Sequence, residues 1–201
     1  EYDSKTSQSK GITKGEIIKY KEKLVSHFDD EPPSSSEVDV VIKQTGVSHE
    51  ITRGEALQTA IVAIDGFSGY EAPVAPTFDD VPPGTWYFDC VESGVQLGII
   101  VGYVDGDGNF TGVFGPEDIA TRAWAAKVLV NSFAVPTTLS SPSPFSDVSP
   151  DHQYYDYILT AYNKSVIDKY PDNSFHPDAP LTRADMIKWL VNAQYPVLRD
   201  A

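Results

Sequence analysis

Cations and thiols are scarce in this chain. Its 201 residues carry 15 Lys and Arg against 29 Asp and Glu, a formal net charge of −14. So acidic a chain is repelled by nucleic acid and by anionic membrane surfaces, which argues against both as general partners. Any anion it holds must be gripped by a local cluster of Arg and Lys working against the global field. The single cysteine, Cys90, excludes an intramolecular disulfide. No apolar run reaches the roughly 20 residues needed to cross a bilayer, so membrane insertion is not expected. The four histidines, His27, His49, His152 and His176, have no metal-ligand spacing. There is neither a Gly-x-Ser-x-Gly elbow nor a phosphate loop, and no carboxylate pair is singled out among so many acids. An enzyme is therefore not expected.

What is present is self-similarity. "FDDVPPGTWYFDCVESGVQLGIIVGY" from Phe78 aligns without a gap on "FSDVSPDHQYYDYILTAYNKSVIDKY", 67 positions later. Phe78/Phe145, Asp80/Asp147, Val81/Val148, Tyr87/Tyr154, Ile100/Ile167 and Tyr103/Tyr170 are identical pairs. "FGPEDIATRAW" from Phe114 then matches "FHPDAPLTRAD" from Phe175, 61 positions later, the difference being an insertion within "VDGDGNFTGV". A shorter copy opens "FDDEPP" at Phe28, runs to "ITRGE" at Ile51 and lacks the Gly/Asp/Phe loop. Ahead of it, "ITKGE" at Ile12 resembles the second half of another copy. The chain divides into an N-terminal tail and helix (1–27), a shortened unit (28–70) and two full units (78–135 and 145–196). Pro-, Ser- and Gly-rich linkers lie at 65–77 and 134–144. Residues 1–10 are polar and do not form a signal peptide.

Each unit is expected to be helix, loop, helix. Asp80 and Asp147 are placed to cap the first helix, with Pro83 or Pro150 in its first turn. Cys90 and Ile158 fall on its buried face. The second helix starts at the motif Thr, and its apolar residues recur at helical spacing: Leu57 and Ile61; Ala126, Leu129 and Val130; Met186, Leu190 and Val191. One such pair cannot bury its own apolar face, so stacked units must share a core, with the second helices central and the first helices outside. Trp189 is expected in that core, and Trp86, after a Pro-Pro-Gly turn, is expected to be exposed.

The Thr of each motif has a local use. Thr52 with Glu55 forms a capping box, Thr182 with Asp185 a weaker one, and Thr121 meets Trp124 instead. Capping does not explain the basic residue beside it. Lys14, Arg53, Arg122 and Arg183 sit in the first helical turn, where a cation opposes the helix dipole. Two explanations remain open: an Asp or Glu of a neighbouring unit, or an external anion held by the Arg fork and the helix's free N–H groups. In "DGDGNFTGVFGPE", Asp105, Asp107 and Asn109 match the first three calcium-ligand positions of an EF-hand. Phe110 and Pro116 stand where that loop needs Gly and Glu, so a turn built of Asp and Gly is favoured over calcium.

Taken in order, "FDDVPPGTWYF", "GIIVGYVDGDGNF", "FGPEDIATRAW", "FSDVSPDHQYY" and "VIDKYPDNSFHPDAPLTRAD", with "FDDEPP" and "ITRGE", resemble the S-layer homology domain. The resemblance implies an all-α fold of three repeats arranged as a pseudo-threefold bundle, with an extra N-terminal helix here. It also implies a module at the extracellular bacterial cell surface. Such modules anchor exported proteins to an anionic cell-wall polysaccharide, often one carrying pyruvate ketals, through a motif Arg in the groove between repeats. Arg53, Arg122 and Arg183 carry that role over, and Lys14 more distantly, with Trp86, Tyr103, Tyr170, Asp105 and Asp172 nearby. Trp124 and Asp185 stand where the family has Glu. The first unit lacks the loop, so its groove is expected to be incomplete. The alternative is a protein–protein assembly module of a surface layer, assisted by calcium, whose Arg residues are paired internally.

Overall fold

The computed structural model describes residues 49–64, 75–137 and 142–194. Lys14, the expected N-terminal helix and the first half of the shortened unit lie outside the described residues. The described residues form five helices: α1 (Arg53–Ala63), α2 (Phe88–Gln96), α3 (Arg122–Ser132), α4 (Tyr155–Asn163) and α5 (Arg183–Gln194). Among the described residues there is no strand, only isolated bridges, so the fold is all-α as expected.

The motif Thr starts each central helix. Thr52 accepts from the Glu55 N–H while the Glu55 side chain accepts from the Thr52 N–H, a complete capping box. Thr121 makes only the forward bond, 3.2 Å from the Trp124 N–H. Thr182 accepts from the Asp185 N–H at 3.1 Å. The central helices α1, α3 and α5 pack on one another, and each outer helix docks on the central helix of the preceding unit, α2 on α1 and α4 on α3. Their shared core includes Leu57, Leu129, Ile158, Met186 and Trp189, all buried.

A three-way hydrogen-bond ring lies where the units meet. The Ile51 N–H donates to the Leu181 carbonyl (3.0 Å), Leu181 to Ala120 (2.8 Å), and Ala120 back to Ile51 (3.0 Å). Each of these residues precedes its motif Arg by two positions, so the ring places three helix starts around one pseudo-threefold axis. The short "ITRGE" copy closes the ring as fully as the other two.

The aspartates expected to cap the outer helices do something else. Tyr87 and Tyr154 occupy the N-cap positions of α2 and α4, without a side-chain cap bond. The Asp80 carboxylate instead accepts from the N–H groups of Phe114 (2.9 Å) and Gly115 (2.7 Å). Asp147 does the same for Phe175 (2.8 Å) and His176 (2.7 Å). Two charge-assisted bonds to consecutive main-chain donors are worth more than one cap bond, so the carboxylate turns to the loop and the helix starts later. The proline turns consequently precede the helices rather than opening them.

The same loop requires glycine at Gly102, whose φ is +75°. A Cβ there would overlap the Phe78 ring and come within 2.8 Å of the Val113 carbonyl oxygen. Gly102→Ala is expected to cost about 2–4 kcal/mol, from left-handed backbone strain plus overpacking, read as a lowered urea midpoint at unchanged slope.

Candidate functional site

The first turn of each central helix meets the loop of the next unit. Arg53 donates its main-chain N–H to the Asp118 carbonyl (2.8 Å), and Gly54 to that of Pro116 (2.9 Å). Arg122 and Ala123 do the same with Ala179 (3.0 Å) and Pro177 (2.9 Å). The Arg183 N–H reaches the His49 carbonyl at 2.9 Å. At Arg53 and Arg122 the reading that relied on free helix N–H groups is therefore overturned: loop carbonyls and the cap Thr take them up, with the loop held against the helix start by Asp80 or Asp147. What stays available for an anion is the Arg side chain.

Arg53 projects into a groove walled by the loop of the second unit and by α3. It is only 6% exposed. Its Nε donates to the Phe114 carbonyl (2.9 Å), which fixes the plane of the guanidinium. The guanidinium carbon lies 4.3 Å from the Tyr103 ring centroid, 4.5 Å from Trp124 and 4.9 Å from Phe114, a three-sided aromatic box. Burial lowers the Arg53 pKa from its ordinary value. Lys127, one turn further along α3, is likewise shifted down, by burial and then by the Arg53 charge. Asp118 and Asp80 act on Arg53 from beyond ion-pair distance, and the Asp118 Oδ2 accepts from the Tyr103 hydroxyl at 2.8 Å. Among the described residues, no carboxylate forms an ion pair with Arg53 or Lys127.

The next groove repeats the plan with a different balance. Arg122 Nε donates to the Phe175 carbonyl (2.9 Å), and the guanidinium lies 4.9 Å from Phe175, 4.9 Å from Trp189 and 5.1 Å from Tyr170. Here an acid is present: Arg122 meets Asp185 Oδ2 at 3.3 Å. A cavity of about 180 Å³ opens beside it, lined also by Lys169 and Lys188. The tryptophan has moved. Trp124 stands three positions after its Thr, whereas Trp189 stands seven after Thr182, one helical turn on and on the same face. The ring still floors the box, and the vacated position holds Asp185.

The structure brings Arg53 together with Tyr103, and Arg122 with Tyr170. The groove of Arg53 is complete, contrary to the expectation drawn from the missing first-unit loop, because its wall comes from the second unit. Arg183 sits half-buried at the start of α5. Trp86 is half-buried rather than exposed. It packs edge-on to Tyr87 at 5.1 Å and against Gly54, where an added Cβ would meet its ring at 3.3 Å, and it is not part of the box.

Asp105 and Asp172 face their own loops. Asp105 accepts from the N–H groups of Asp107 (3.0 Å) and Asn109 (2.8 Å), and Asp172 accepts from the Ser174 N–H (2.9 Å). The Asn109 N–H bond lowers the Asp105 carboxyl pKa, and the Ser174 hydroxyl, which also donates to Asp172, lowers that of Asp172 ahead of the Ser174 N–H. Asp105 thus organises the turn with the oxygens a calcium ion would need. Among the described residues, no three His, Cys, Asp or Glu side chains converge as a metal site. Cys90 is half-buried, its Sγ turned to the Tyr87 carbonyl, and burial pushes its thiol up to about 12, so it stays protonated at neutral pH. Lys127 was legible only as a repeat: it and Lys188 stand at the same position of α3 and α5.

These features define a class, a cyclic helical repeat module with a boxed Arg at two of its junctions, those of Arg53 and Arg122. The family model of the S-layer homology domain matches residues 77–126 and 144–187, so the second and third units are S-layer homology domains. It is 30% identical over 129 residues to the S-layer protein Sap of Bacillus anthracis, covering 63% of this chain and 15% of that protein. It is 32% identical over 105 residues to the surface-layer 125 kDa protein of Lysinibacillus sphaericus, covering 52% and 8%. It is 31% identical over 112 residues to cell surface glycoprotein 1 of Acetivibrio thermocellus, covering 55% and 4%. The matched stretch thus spans 15% or less of each of these relatives. No helix among the described residues is long and apolar enough to cross a membrane.

Proposed function

We propose that this chain is a non-catalytic module that holds a surface protein on the bacterial cell envelope by binding an anionic, pyruvate-bearing cell-wall polysaccharide in the grooves between repeats. The observation that carries this reading is Arg53: a cation 6% exposed, boxed by three rings, with no carboxylate paired to it among the described residues. Burying an unpaired charge is costly, and such a site gains most when an external anion completes it. The Nε bond to Phe114 leaves the far edge of the guanidinium for a carboxylate. Tyr103, 38% exposed, offers a face to the attached sugar.

The assembly reading draws support from two places. Arg122 is paired with Asp185, and the loop of the second unit exposes Val101, Val104 and Phe110. Neither feature accounts for Arg53. The test is calorimetric titration with cell-wall polysaccharide of the source organism, native and with its acidic groups removed. Binding that vanishes on their removal is the expected result, and equal binding to both preparations would refute the proposal.

A further inference from the structure

Superimposing one groove on the other by the sequence repeat exposes a paired exchange. Lys127 and Lys188 are equivalent, as are Tyr103 and Tyr170. Around these shared groups the second groove places two acids, and both are used: Arg122 pairs with Asp185 at 3.3 Å and Lys188 with Asp168 at 3.0 Å. The repeat positions of Asp185 and Asp168 are held in the first groove by Trp124 and Val101. Both cations of the first groove therefore lack what both cations of the second possess.

We infer that the two grooves are functionally unequal: Arg53 and Lys127 form the high-affinity anion site, while Asp168 and Asp185 are internal competitors that keep the Arg122 groove from taking the same ligand. This rests on the anionic-glycan reading and adds to it which groove works, a second binding residue, and the two residues that decide specificity. The physical reason is direct. An incoming carboxylate at Arg122 must displace Asp185 or sit against it, and like charges at such separations oppose binding, whereas at Arg53 it completes an unpaired cation. Asp118 and Asp80 act on Arg53 only from beyond ion-pair distance, the Asp118 carboxylate being held by the Tyr103 hydroxyl and that of Asp80 by the Phe114 and Gly115 N–H groups, so neither occupies the guanidinium as Asp185 does.

The test uses the full chain and one small probe, the methyl glycoside of a hexose carrying a 4,6-pyruvate ketal, titrated calorimetrically at low salt. The wild type is expected to bind one equivalent. Lys127→Met should weaken that site by roughly tenfold, and Arg53→Met should abolish it. The double variant Asp168→Asn/Asp185→Asn should bind two equivalents, and adding Arg53→Met should leave one. Asp185→Asn keeps a side-chain oxygen for Thr182, and the single variant Asp168→Asn, at a more exposed residue, gives a partial gain that does not depend on the helix start. Two equal sites in the wild type, or unchanged stoichiometry in the double variant, would overturn the inference and leave the glycan reading intact. A probe that binds none of these folded proteins would overturn both.

Discussion

Phe114→Ala is expected to lower the unfolding free energy by about 3–5 kcal/mol, the range for truncating a fully buried aromatic residue. Phe114 is 0% exposed. Its ring packs 5.5 Å from that of Phe78 and 6.2 Å from that of Trp124, and it forms one wall of the Arg53 box. Its main chain is engaged separately, the N–H by Asp80 and the carbonyl by Arg53 Nε. Truncation leaves both main-chain groups in place, so the loss measures packing rather than hydrogen bonding. Phe114→Leu keeps much of the volume and should lose far less. For a domain of this size the alanine variant should melt roughly 10 °C lower. Chemical denaturation of the three proteins checks the ranking, and near-equal midpoints for all three would show that the ring is not a core element. Phe175→Ala should reproduce the effect, because Phe175 stands in the same relation to Phe145, Trp189 and Arg122.

Arg53→Met is expected to separate binding from stability. It keeps a long apolar stem between the three rings and removes only the charge and the Nε donor. Loss of a charge that meets a buried anion typically costs about 2–5 kcal/mol, so affinity for the acidic polysaccharide should fall by roughly a hundredfold or more. Stability should change by no more than about 1 kcal/mol, because the lost bond to Phe114 is offset by relief of the desolvated cation. Burial already shifts the Arg53 pKa downward, the direction that marks a desolvation cost. Titration and thermal melting on the same preparations check both halves. A variant that loses several kcal/mol of stability would make Arg53 a structural residue and remove the main support for the glycan site.

Much of the local structure could be read from the chain. The Thr of each motif announced a cap, the spacing of Leu57, Leu129 and Leu190 announced a central helix, and the repeat offsets tied those helices to a shared core. Trp189 in the core followed from the same spacing. Where the reading failed, it failed by staying local. Asp80 and Asp147 precede a helix and looked like caps, yet each bonds to a loop about thirty residues on. Trp124 looked like a failed capping box, and its real task is to floor the box around an Arg of another unit. Free N–H groups at the helix starts were inferred from one helix alone, whereas a neighbouring loop supplies their acceptors.

The sequence by itself determined the repeat, the helix starts and the placing of a cation in each first turn, because periodicity and capping act within a few residues. It could not decide what each cation meets. That depends on ring closure: the Ile51–Ala120–Leu181 hydrogen bonds bring the helix start of one unit against the loop and central helix of the next. Only then does Arg53 face Trp124 and Arg122 face Asp185, and the difference between an unpaired cation and a neutralised one is a property of contacts some 60 to 70 residues apart along the chain.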